Sequence, residues 1–391
     1  MVIMNSDNKR KINKLKLIKL VLVLLIFAVL IFVTISLITW LFTGSSWMSG
    51  LFTPPVPDIT VDEFNFDIGR NRSFADLGHH IIAAGAMGIK ILDTDGREVF
   101  RNSFRMTQPA IHNSAERCIV FDVGGTSVRV LDGSLVLSSF EANGVIVSAS
   151  INQNGWFCVV TQEQGAFRGI VTVYDNYGTA RLKASKGTGY VVSAQLSHDN
   201  KNLAILNLAE SGSRISFYHN IDTDKDEPDN LINFTSGLII DICYLSNGDL
   251  LAFTSNSVFL VDASGENKML YTFNDRRLGG YAYDNNFIAL HLYDYGVGQQ
   301  GRLVTFKTDG TILGEAETDR EVVSMSVVNR TVIVLKNDGV IFYDEKLETG
   351  LISKNSFNAA GANRVLAIND TVAIATSDNS AVVIRAGEEE Q

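Results

Sequence analysis

Cysteine, proline and tryptophan are scarce in this chain, and each shortage excludes something. The three cysteines, Cys118, Cys158 and Cys243, are odd in number, and each sits inside an apolar run. A disulfide framework needs pairs, and a structural zinc site needs close ligand spacing. Neither is present, so the thiols read as small buried apolar groups. Of five prolines, three crowd into Pro54, Pro55 and Pro57. Trp156 is the only tryptophan beyond residue 47. No HExxH, CxxC, G-x-S-x-G or Walker A pattern occurs. Among six histidines only His79 and His80 are adjacent. Neighbours on a strand face opposite ways, which argues against one shared metal. The sequence therefore nominates no catalytic, cofactor-binding or metal-ligating residue.

Basic residues are also few, and they are unevenly placed. The net charge is −10, yet residues 1–19 hold six Lys and Arg against Asp7 alone. An acidic body excludes a nucleic-acid binder, which needs a basic face. Residues 20–42 (LVLVLLIFAVLIFVTISLITWLF) form the one long apolar run and carry no charge. That length spans the hydrocarbon core of a bilayer as a helix. Cations precede it and none follows until Arg70. The asymmetry predicts a transmembrane signal-anchor with residues 1–19 in the cytoplasm and the body outside. A cleavable signal peptide would have a shorter apolar region and a small-residue cleavage site. Residues 43–58 read as a Pro-containing linker, extended and semi-rigid.

Beyond the linker the chain repeats. Eight short apolar runs begin at Ile89, Val128, Val171, Ile215, Val258, Leu303, Val340 and Ala381. Their fifth positions are spaced by 39, 43, 44, 43, 45, 37 and 41 residues. Strand-bearing repeats of about 40–45 residues are the signature of a β-propeller, one blade per repeat. Helical solenoids share the period, but the runs are short, rich in Val, Ile, Phe, Tyr and Thr, and broken by Gly, Asn and Asp. One repeat predicts strands at 145–151, 156–161, 170–174 and 180–184, with Trp156 opening the second as a core anchor. The prediction is an all-β propeller over 59–387, eight-bladed with seven as the alternative. Residues 388–391 form an acidic tail. The last repeat lacks a fourth strand, and residues 59–66 form a strand without a hairpin partner. The N-terminal strand is therefore expected to complete the last blade and close the ring.

Asp fills the fifth slot of five repeats: Asp93, Asp132, Asp175, Asp262 and Asp344. Glycines three residues later suit tight turns, in which Asp caps backbone amides. Equivalent turns on separate blades are spread around a ring and cannot converge on one ion. Gly124-Gly125 and Gly279-Gly280 read as hairpin or blade-junction glycines. Arg70, Arg72, Arg276 and Arg277 read as solvated loop charge.

The segment Ser197-His198-Asp199-Asn200-Lys201-Asn202-Leu203-Ala204 resembles the S-P-D-G-K-x-L-A hairpin of bacterial propeller families. His198 stands for the usual Pro and Asn200 for the usual Gly. The basic N-terminus, single span, Pro linker and the segments NGWFCVVTQEQG and VVSAQLSHDNKNLAIL resemble a family of uncharacterised Gram-positive membrane-anchored proteins with propeller-like (WD40, YVTN or quinoprotein-like) ectodomains. The layout is also similar to quinoprotein dehydrogenases and to envelope scaffold propellers. The dehydrogenases carry repeated tryptophan docking motifs and a calcium site, and a lone Trp156 counts against them. The expected function is a membrane-anchored extracytoplasmic binding or scaffold module for an envelope protein or component. The alternatives are an enzyme with its site in the central funnel and a ligand-sensing ectodomain.

Overall fold

The computed structural model describes residues 60–386 except 163–167, 211, 222–226, 236, 263, 295–299, 320–321, 349–350, 353–360 and 379. The expected cytoplasmic segment 1–19, span 20–42, linker 43–58 and tail 388–391 lie outside the described residues.

Every regular element among the described residues is a strand, and each sheet has four. β1 (Thr60–Asn65) comes first in the chain. Blade one is β2 (Ser73–Leu77), β3 (His80–Gly85), β4 (Gly88–Asp93) and β5 (Glu98–Ser103). Blade two is β6 (Pro109–Ser114), β7 (Arg117–Asp122), β8 (Ser127–Asp132) and β9 (Leu135–Glu141). Blade three is β10 (Val145–Ile151), β11 (Phe157–Gln162), β12 (Gly169–Tyr174) and β13 (Ala180–Lys186). Blade four is β14 (Tyr190–Leu196), β15 (Asn202–Ala209), β16 (Gly212–His219) and β17 (Asn230–Phe234). Blade five is β18 (Ile239–Tyr244), β19 (Leu250–Thr254), β20 (Ser257–Val261) and β21 (Asn267–Thr272). Blade six is β22 (Arg277–Tyr283), β23 (Phe287–Tyr293), β24 (Gln300–Lys307) and β25 (Ile312–Asp319). Blade seven is β26 (Val322–Val328), β27 (Thr331–Lys336), β28 (Gly339–Asp344) and β29 (Leu351–Ile352). Blade eight takes β30 (Ala362–Asn369), β31 (Val372–Ser377) and β32 (Ser380–Arg385).

The order of the last sheet is β1-β32-β31-β30, so β1 supplies its outer strand. Thr60 pairs with Arg385 and Asn65 with Ser380, antiparallel. The ring has eight blades and is closed by the first strand of the domain, as the unpaired ends of the repeat predicted.

Eight apolar clusters among the described residues fill the eight seams between blades. Cys158 and Val160 of β11 point to blade four and meet Val191, Leu196 and Tyr218. Phe157 and Val159 of the same strand point the other way, to Ile119, Phe121 and Val130 of blade two. This alternation buries both faces of each middle strand, so those strands are apolar at nearly every position. Burying an aliphatic side chain stabilises by roughly 1.5–3 kcal/mol, and each seam holds about ten. The seam between blades eight and one joins Ile374 and Val383 to Phe74 and Ile81. Closure is thus sealed by core as well as by backbone pairing.

The outer strands differ. The pattern of β9 alternates exposed and half-buried residues, and β5 is mostly exposed. Polar alternation on an outer edge resists pairing with other chains.

Three local expectations shift. Trp156 lies in the turn before β11, half-buried, with the Arg181 guanidinium 5.9 Å from its ring. His79 sits in the turn before β3, exposed, and only His80 is on the strand. Gly279-Gly280 is no hairpin: it lies inside β22 at a bulge, where a Cβ on Gly279 would meet the His291 imidazole. Gly124-Gly125 does turn the chain between β7 and β8.

Candidate functional site: two unlike faces around the ring axis

An antiparallel blade sends its first-to-second and third-to-fourth connections to one face of the ring, and the other connections to the opposite face. The two faces differ in charge. Among described residues, the first set of loops holds fourteen Asp and Glu against four Lys and Arg. The second set holds six against five. We call these the acidic face and the neutral face.

The repeated Asp residues lie on the acidic face and work as turn caps. Asp93 Oδ1 accepts the amides of Asp95 at 3.0 Å and Arg97 at 2.8 Å. Asp344 does the same for Lys346 and Glu348. Asp262 takes Glu266 N–H and Ser264 Oγ. Asp175 is buried and takes Tyr177 and Thr179 amides plus the Arg181 guanidinium. Burial opposes its ionisation, yet those donors hold its carboxyl below the usual range. Asp132 departs from the pattern and pairs with Arg117 at 2.8 Å. No group of three or more His, Cys, Asp or Glu among the described residues is placed to hold a metal.

The same face carries a cavity of about 180 Å³ beside the axis. Its wall comes from the ends of the innermost strands of blades two to six, including His112, Gln195, His198, Tyr244, Tyr283 and Asp284. His112 Nδ1 accepts the Ile151 amide at 3.2 Å, so the proton of the neutral ring is on Nε2. Burial pulls this imidazole down to about 4. His198 reaches the cavity from the turn after β14. Its Nε2 lies 3.2 Å from the Tyr244 carbonyl oxygen. Composition gave no reason to single out either histidine, because they are far apart in the chain. The one signal was the substitution in the hairpin motif. Asn200 takes φ of +63°, which Gly usually supplies, so the turn survives. The Pro position is then free to carry an imidazole.

Below the cavity, at the seam of blades five and six, Tyr281 donates to Asp241 Oδ2 at 2.9 Å. Burial raises the Asp241 carboxyl, and the bonds from Tyr281 and from the Ile242 amide only partly offset it. Burial likewise pushes up the Cys243 thiol, opposed by Tyr283 and assisted by the Asp241 charge.

The neutral face is apolar in one sector. The loops before β10, β14 and β18 (ANG, GTG and TSGL) hold no charge. The strands they feed begin with exposed Val145, Tyr190 and Ile240, and Leu238 is exposed beside them. In six blades the register of the innermost pair slips near this end, as between Ile239 and Asp241 and between Val322 and Ser324. The extra residue turns out of the ladder, and four of these, Ile240, Gly279, Val323 and Asn363, are exposed. Of the arginines expected to be solvated, Arg276 pairs with Asp294 at 2.8 Å, and Arg72 donates to the Asp378 carbonyl.

BamB from Moraxella catarrhalis superposes with a TM-score of 0.52 at 13% identity, over 84% of this chain and 100% of that one. Citrobacter koseri AztD gives 0.53 at 14% identity, over 82% and 91%. Such distant likeness shows the fold alone. No curated protein sequence matches. A family of unknown function (DUF5711) matches residues 60–347, and the chain belongs to it.

Proposed function

We propose that this member of a family of unknown function is a membrane-anchored, extracytoplasmic propeller that docks an envelope protein on its neutral face. The observation that carries the reading is the set of uncharged loops entering the innermost strands of blades three to five, which Arg168 borders by donating to the Tyr190 hydroxyl at 3.0 Å. Four exposed apolar side chains, Val145, Tyr190, Leu238 and Ile240, stand there beside loops without charge. Interface centres are depleted in charge, as the three loops of this sector are. The opposite face is strongly acidic and would stay hydrated. The anchor rests on the uncharged run 20–42 and the cations before it. A rigid ring of loops suits binding, and the fold alone does not choose the partner.

The test is in-cell photo-crosslinking from single positions in the full chain. Probes at Tyr190 and Ile240 are expected to capture one envelope protein, and a probe at Tyr177 on the acidic face is not. Ile240→Glu is expected to abolish the captured band while the protein still accumulates. Capture from Tyr177 and not from the neutral face would overturn the docking side, and no capture from either face would overturn the scaffold reading.

A further inference from the structure

The cavity on the acidic face is a separate matter from the docking sector, and it is incomplete as it stands. A carbonyl oxygen only accepts, so the contact of His198 with the Tyr244 carbonyl fixes the proton on Nε2. The neutral imidazole then turns a lone pair out of Nδ1. That atom is buried and has no partner. The Tyr244 hydroxyl is also buried without a partner, on a residue only 9% exposed. A buried polar atom without a partner is uncommon in a folded protein, and both residues line this cavity. The space of about 180 Å³ exceeds what a single water needs.

The wall selects the occupant. No Lys or Arg lines the cavity. Asp284 does, half-buried. Its Oδ1 is used by the amides of Asn286 and Phe287, and its Oδ2 has only a 3.4 Å contact with the Asn286 side chain. Among the described residues, Oδ2 thus has no strong donor, on a residue that lines the space. The first-to-second loops of blades two to six hold Glu116, Asp199, Asp249 and Asp284 against Lys201, an acidic excess that raises the local concentration of cations and repels anions. A lone pair, a carboxylate and a wall without Lys or Arg ask for a ligand that is positive and rich in N–H donors.

We infer that the cavity between the innermost strands of blades two to six binds a small organic ammonium compound, a short primary amine or diamine. An ammonium group would pair with Asp284, and an N–H would satisfy His198 Nδ1. The inference does not depend on the docking reading, because it uses the opposite face and different residues.

The experiment is calorimetric titration of the purified full chain with three probes of equal backbone length: 1,4-diaminobutane, 1,4-butanediol and succinate. The diamine is expected to bind, and the diol and diacid are not. Asp284→Asn keeps Oδ1 as acceptor for its turn and removes the charge. It is expected to weaken the diamine by about tenfold or more, in line with loss of a charge-assisted bond. Tyr244→Phe keeps the ring and is expected to weaken it by a few-fold, with a thermal midpoint no lower than the parent's. Diol binding as tight as diamine, diamine binding untouched by both variants, or no diamine binding at millimolar concentration would each overturn the proposal. Crosslinking from the neutral face is unaffected by any of these outcomes, so the two readings fail independently.

Discussion

The hydroxyl of Tyr281 donates to Asp241 Oδ2 at 2.9 Å and joins the innermost strands of blades five and six by a single bond between a phenol and a carboxylate. The carboxylate is half-buried at the axis, with no cation against it among the described residues, and burial raises its carboxyl above the ordinary value.

A raised carboxyl takes up its proton more readily in the folded than in the unfolded chain. Its stabilising contribution is full below the unfolded range near 4 and is lost as pH rises through the folded value. Asp241→Asn keeps an oxygen acceptor for Tyr281 and cannot ionise. The melting-temperature difference between this variant and the parent is therefore expected to shift in favour of the variant between pH 4 and pH 8. Thermal denaturation across that range checks it, and a difference independent of pH would refute the assignment.

Closure of the ring predicts a coupling between distant residues. Phe64 of β1 lies against Gly96, where an added Cβ would meet its ring, and Gly96 has φ of +79°. Phe64→Ala is expected to cost about 2–4 kcal/mol in denaturant unfolding, toward the lower end because the side chain is only half-buried. Gly96→Ala is expected to destabilise the parent by more than it destabilises Phe64→Ala, since part of its cost is the ring contact. Purely additive effects in the double-mutant cycle would place Phe64 elsewhere.

The repeated Asp turns are equivalent in sequence and unequal in burial. Asp175→Ala strands two amides and the Arg181 guanidinium, and about 2–3 kcal/mol should be lost, because Arg181 is partly exposed and can rehydrate. Asp262→Ala in an exposed turn should cost clearly less than Asp175→Ala. The Asp175 carboxyl is held low in the fold. Its contribution is therefore present above the unfolded range and lost as pH falls. Urea unfolding of both variants at pH 7 and pH 4 should show the gap narrowing at the lower pH.

The thiols should be silent in the native ring. Cys158 is pushed up to about 11 by burial, with Ser150 partly opposing, and burial raises Cys118 and Cys243 further. Thiolate is the reactive form. A thiol reagent at pH 8 is expected to label none of the three in the native protein and all three in denaturant. Prompt native labelling at any of them would mean that its seam opens.

The sequence by itself determined the frame. Strand runs recurring at blade spacing fixed eight repeats, because a strand must bury both faces against neighbours and only a ring lets every blade do so. A strand without a partner at one end and a repeat short of a strand at the other fixed the closure, since unpaired edges are costly. Asp followed by Gly marked turns because local amide capping is written in adjacent residues. The tertiary structure decided everything that depends on which strand ends converge at the axis. His112 and His198 meet one cavity only because blades two and four turn their innermost strands to the same point. The split between an acidic and a neutral face follows from strand direction, which assigns alternate loops to opposite sides. The bulges that expose Ile240 and Val323 arise from a register slip between paired strands, and register is a property of two segments that neither one carries alone.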